Sequence, residues 1–175
     1  VKIPHDSELY FKENKINISY DNLRNLSKPY NYKLSDGYYV GDHSGAHFFT
    51  VGQRKGLAVG GTKDPLFVLK TDVDQNIIYV GEGNEHPGLF RNTLYISSDD
   101  LHLIREDVFL NKKHSFKVKA RIRYRQPLQD ALVIFVDNGV FLIFNKKQSA
   151  ITKGQFAVWY LGNELVGSGV ISWFK

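Results

Sequence analysis

The fold turns on residues 131–144, "ALVIFVDNGVFLIF". Two runs rich in β-branched and aromatic residues, Ala131–Val136 and Gly139–Phe144, flank Asp137-Asn138-Gly139. Asn-Gly tolerates positive φ at both central positions of a tight turn, so the stretch predicts an antiparallel hairpin. Similar short runs recur on either side, at Ser115–Gln126, Gln155–Tyr160 and Leu165–Trp173. No long helical period separates them. Evenly spaced short strands of this kind predict a small barrel or sandwich.

The first half gives a second β pattern. "PLFVLKTDVDQNIIYVGEG" (65–83) reads as strand, Asp-Gln-Asn turn and strand, and composition breaks near Phe90–Asn92. Residues 1–35 are polar and rich in Asn and Lys, and they read as a linker or lead-in. A short helix around Tyr20–Leu26, with Ser19 or Asp21 near its start, is the one element expected there. The organisation expected is therefore all-β: a lead-in over 1–35, a central β domain over 36–92 and a C-terminal β-barrel over 93–175.

Hydrophobic residues make up 42% of the 175, ample for a packed core. There is no cysteine, which excludes a disulfide, a thiolate metal site and a cysteine nucleophile within these residues. A cysteine-free chain with no apolar run near the ~18 residues of a membrane span is expected in the cytoplasm, away from membranes. The chain starts at Val1 and has no methionine, and so reads as a piece of something longer. Its net charge of +5 is modest, and what matters is where that charge sits.

One place is Phe116–Gln126, "FKVKARIRYRQ". Alternation on a strand sends Phe116, Val118, Ala120, Ile122 and Tyr124 to one face, and Lys117, Lys119, Arg121, Arg123 and Arg125 to the other. Two readings of that basic row stand side by side. It is a solvated outer face whose charges are offset by acids such as Asp130 or Asp137, or it contacts a phosphate backbone.

The other place is Gln53-Arg54-Lys55, framed by Gly52 and Gly56 in "TVGQRKGLAVGG" (50–61). It reads either as a phosphate contact or as a tight turn with a polar tip. It is not a P-loop, because Lys55 precedes its glycine and no lysine stands between Gly61 and Thr62. Gly167 and Gly169 fall inside a strand pattern, where glycine marks a bulge or close packing. His43 and His47 have i, i+4 spacing, but about 13 Å separates such positions on extended chain, so no metal site is expected. His86-Pro87-Gly88 reads as a turn. No catalytic constellation and no cofactor site emerges from these residues.

Four segments together carry a resemblance: "VGDHSGAHFFTVGQRKGLAVGG" (40–61), "PLFVLKTDVDQNIIYVGEG" (65–83), "ARIRYRQP" (120–127) and "SAITKGQFAVWYLGNELVGSGVI" (149–171). From about Asp36 to Ser172 the chain resembles the C-terminal half of the bacterial tRNA-specific 2-thiouridylase family. The resemblance implies a small central β domain and a C-terminal barrel similar to barrels in translation factors, both helping to hold tRNA. It also implies a parent enzyme that places sulfur at C2 of the wobble uridine, using ATP and Mg²⁺ in a separate catalytic domain. That domain's S-G-G-x-D-S loop and cysteines are absent here, so these residues alone are expected to be inactive.

The partners implied are tRNA and that catalytic domain, with a sulfur-relay protein as a further possibility. On this view Gln53, Arg54, Lys55, Lys117, Lys119, Arg121, Arg123 and Arg125 are the candidate tRNA-binding residues. Docking of an acidic sulfur-relay partner or of the catalytic domain is the alternative use of the same charges.

Overall fold

The computed structural model describes residues 1–13, 18–107 and 115–174. Two compact units form, one from Val1–Ile16 with Pro29–Phe90, the other from Asn17–Lys28 with Arg91–Lys175.

The first unit is built on the antiparallel hairpin of β1 (Leu66–Asp72) and β2 (Ile77–Glu82). An isolated two-stranded hairpin is at best marginally stable, so both of its faces need cover. Alternation supplies two apolar faces. Leu66, Val68, Ile78 and Val80 pack with Ala46 and Leu57, while Leu69 and Tyr79 pack with Ile3, Tyr32 and Leu89.

The segment read as a lead-in over 1–35 is thus partly structural. Ile3 is 0% exposed, and the backbone of residues 1–3 runs beside β2, with Ile3 N donating to Val80 O at 2.8 Å. A few apolar residues in a polar segment carry no period, and only pairing with β2 buries them. Residues 14–17 of that segment lie outside the described residues.

The second unit holds α1 (Tyr20–Ser27), capped by Ser19, whose Oγ accepts from Asn22 N at 3.3 Å. Its strands are β3 (Phe90–Ser97), β4 (Leu101–Leu103), β5 (Ser115–Arg121), β6 (Gln129–Val136), β7 (Gly139–Ser149), β8 (Phe156–Leu161) and β9 (Glu164–Val170). They form a seven-stranded sheet in the order β3-β7-β6-β5-β8-β9-β4. Past β9 the chain returns to the β3 edge, where Ser172 N donates to Tyr95 O at 2.9 Å, curling the sheet towards a barrel.

The predicted hairpin joins β6 to β7, pairing Val136 with Gly139. A Cβ at Gly139 would stand 2.1 Å from Ile96 O, which explains why glycine closes this turn. The barrel core gathers Leu94, Ile96, Val118, Val133, Leu142 and Trp159 among others. Gly167 lies flat beneath Trp159: a Cβ there would stand 2.4 Å from the indole ring. Gly169 packs in the same way against Ile96. The glycines of "GSG" serve close packing, as their place in a strand pattern predicted.

Candidate nucleic-acid interface

The basic strand is shorter than its alternation suggests. β5 ends at Arg121, and Ile122–Gln126 form a turn instead of continuing the ladder. The cause is local. Gln126 Oε1 accepts the Ile122 backbone N–H at 3.1 Å, and Gln126 N donates to Arg123 O at 3.1 Å. The Gln126 amide also donates to the buried Gln148 side chain, and Pro127 follows with no N–H to give a partner strand.

The expected row of five therefore becomes a row of three, Lys117, Lys119 and Arg121. Lys119 meets Asp130 across the β5–β6 register, with Nζ 2.7 Å from Oδ1. Both partners are exposed, so the pair is worth about 1 kcal/mol at most. Arg123 turns back, and its guanidinium donates to Ser149 O at 2.7 Å and Ala150 O at 3.3 Å. Arg125 sits exposed on the turn.

The inward face follows its predicted period as far as Ile122, with Val118, Ala120 and Ile122 buried. Tyr124, expected on that face, is instead 86% exposed, and the Arg121 guanidinium lies 5.6 Å from its ring centroid. A second aromatic was missed. Phe156, 65% exposed, begins β8, whose buried Ala157 and Trp159 leave Phe156 and Val158 on the outer face. Val158 is opposite Arg121 in the β5–β8 register. Alternation around Trp159 was the signal that could have found Phe156.

In the first unit, Gly52 and Gly56 hold φ of 84° and 86°, left-handed values that glycine adopts freely. The loop is stitched to β1 by Gly52 N to Val68 O (2.7 Å) and Val68 N to Gln53 O (2.9 Å). The Gln53 side chain is a staple: Oε1 accepts from Thr50 N at 3.1 Å and Nε2 donates to Lys55 O at 2.8 Å. Its amide is used within the loop, while Arg54 and Lys55 project into solvent. The tight turn and the exposed positive tip are both realised.

His43 and His47 do not converge. His43 Nδ1 accepts from Gly45 N at 3.1 Å, and His47 lies on the Phe48 ring at 4.0 Å between centroids. His86 caps the turn at Pro87–Leu89 and is buried, with Nε2 3.2 Å from Ile3 O. The glycine-framed loop is closed on itself by Gln53, and no three His, Cys, Asp or Glu among the described residues could hold a metal ion. No described helix is long and apolar enough to cross a membrane.

Fold and surface define an all-β protein of two small modules, one of them carrying a cationic and aromatic outer face. Residues 28–82 match the family model described as a tRNA methyl transferase PRC-barrel domain, and residues 93–171 match an aminomethyltransferase β-barrel domain. The chain is 51% identical over 173 residues to the tRNA-specific 2-thiouridylase MnmA of Christiangramia forsetii, covering 98% of this chain and 44% of the relative. The protein of the same description from Flavobacterium johnsoniae is also 51% identical with the same coverage, and that of Karelsulcia muelleri is 43% identical over 153 residues, 40% of its length. The chain belongs to the tRNA-specific 2-thiouridylase family and spans less than half the length of these relatives.

Proposed function

We propose that these two modules hold and position tRNA for a 2-thiouridylase whose chemistry, with ATP and Mg²⁺ as cofactors, resides in a separate catalytic domain. The observation that carries this reading is the outer face around Arg121. Exposed cations at Lys117 and Arg125 and the half-buried Arg121 accompany exposed rings at Tyr124 and Phe156. Cations track phosphates without reading sequence, and exposed aromatics stack on unpaired bases. Arg54 and Lys55 supply a second positive tip in the other unit. Gln53 and Arg123 serve their own backbone and act in this reading by shaping the surface. Lys119 is partly neutralised by Asp130.

Fluorescence-anisotropy titration of unmodified tRNA at 50–200 mM salt tests the reading. About four phosphate contacts would give a log–log salt slope near −3. The double variant Arg121→Glu/Arg125→Glu should abolish binding while remaining folded. Salt-insensitive or absent binding by the parent chain would overturn it. It would leave the alternative, in which the same charges dock an acidic sulfur-relay protein or the catalytic domain.

A further inference from the structure

In the first unit an open cavity of about 240 Å³ lies against β2, floored by Leu57, Val59, Ile78 and Val80 and edged by Tyr39, Asp42, His43 and Asn76. We infer that this cavity binds a single pyrimidine-type heterocycle, with Tyr39 as its aromatic wall and Asp42, His43 and Asn76 as its polar edge.

Size comes first. Sites for drug-sized ligands run to about 300–1,000 Å³. This cavity is smaller, and suits one ring rather than a dinucleotide.

The polar edge comes next. His43 Nδ1 is occupied as an acceptor by the Gly45 N–H, which places the proton of the neutral ring on Nε2 and makes that atom a donor. Asn76 Oδ1 is occupied by the Ala46 N–H at 2.9 Å, which leaves the amide NH₂ as a donor. Asp42, whose carboxylate raises the pKa of the neighbouring Tyr39 phenol, supplies acceptor oxygens. The edge therefore offers two donors and one acceptor. Uracil and cytosine each present two acceptors and one donor along their Watson–Crick edges, the complement of this set. Guanine presents one acceptor and two donors, which one carboxylate can meet, so it is the size of the cavity that disfavours this larger bicycle.

The backbone gives a further indication. Among the described residues, Ala58 and Asn76 are two of the three non-glycine residues with left-handed φ, at 50° and 53°. Asn76 lines the cavity, and Ala58 stands between the two lining residues Leu57 and Val59. Left-handed backbone at non-glycine residues gathers where structure serves a ligand.

The source of the heterocycle is either a free nucleoside or an unpaired base of RNA. Only the second source rests on the tRNA reading above. Titrating the chain with uridine, cytidine, adenosine and guanosine, followed by ¹H–¹⁵N correlation spectra, tests the site. Uridine or cytidine should give saturable shifts centred on Asp42, His43 and Asn76, with guanosine weaker. Asp42→Asn and Tyr39→Ala should each weaken binding about fivefold, the loss expected of one hydrogen bond or ring contact. The rest of each variant's spectrum reports that it is folded.

No saturable shift with any nucleoside would overturn the inference. So would an equal response to phenol, which matches the apolar floor and lacks the pyrimidine edge. Displacement of the nucleoside by unmodified tRNA would make RNA the source, and persistence of the shifts would make it the free nucleoside. Salt-dependent tRNA anisotropy can survive loss of this site, and the site can survive loss of tRNA binding, so the two readings fail separately.

Discussion

Gln126 Oε1 accepts the backbone N–H of Ile122 at 3.1 Å, and this one contact stands where the next rung of the β5 ladder would be. It converts the end of a strand into a turn and lifts Tyr124 from the core side to solvent. Gln126→Ala leaves the Ile122 N–H and the buried Gln148 amide short of a partner. Stability should fall by about 1–3 kcal/mol, measured by urea denaturation. An unchanged midpoint would mean that the turn is held by Arg123 alone.

Gly167 lies flat against the Trp159 indole inside the barrel. Gly167→Ala should destabilise the second unit by about 3 kcal/mol, because the new methyl meets the indole inside a packed core. In the double variant with Trp159→Phe, the two losses should sum to less than the separate values, since the smaller ring withdraws from the collision. Thermal unfolding of the four proteins gives the coupling.

Ile3 separates a lead-in from a structural segment. Ile3→Ala should cost about 2–5 kcal/mol in the first unit, the range for truncating a buried aliphatic side chain. A loss below 0.5 kcal/mol, the size expected of a surface substitution, would contradict its burial against β2.

His86 makes the first unit sensitive to acid. Burial lowers the pKa of its imidazole from the ordinary 6.5, and the ring is faced by His5, Tyr10 and Lys2 and closed in by Gly81. Below pH 6.5 the unfolded chain takes up a proton that the folded ring resists. Stability is therefore retained at higher pH and lost as pH falls from that value towards the lower folded pKa. Calorimetry between pH 7.5 and 5 should show a falling Tm, and His86→Gln should flatten that slope even though it lowers Tm at pH 7.5.

Lys119 and Asp130 supply a contrast on the surface. Lys119→Ala should change stability by less than about 1 kcal/mol, because both groups are exposed and the pair is screened. Denaturation at 0.05 and 0.5 M salt checks this, with any difference shrinking at the higher salt.

Local rules read from the chain carried much of the fold. Asp137-Asn138-Gly139 marked a hairpin as a polar break between two apolar runs, although neither Asp137 nor Asn138 takes the positive φ expected of an Asn-Gly turn, and β1–β2 followed from the same kind of pattern. The period of two in Val118, Ala120 and Ile122 placed the barrel wall. The motifs from Val40 to Ile171 were specific enough to indicate the family.

Tertiary structure decided what depends on residues distant in sequence. Gln148, remote from β5, helps to hold the Gln126 turn, and the carbonyls of Ser149 and Ala150 capture Arg123, so a five-charge row became three. Ile3 is buried because β2 offers it a backbone edge 77 residues away. The cavity beside Tyr39 draws on segments around 39–43, 57–59 and 76–80. Alternation is a property of neighbours along the chain, whereas hydrogen-bond partners and cavities are set by segments that only the fold brings together.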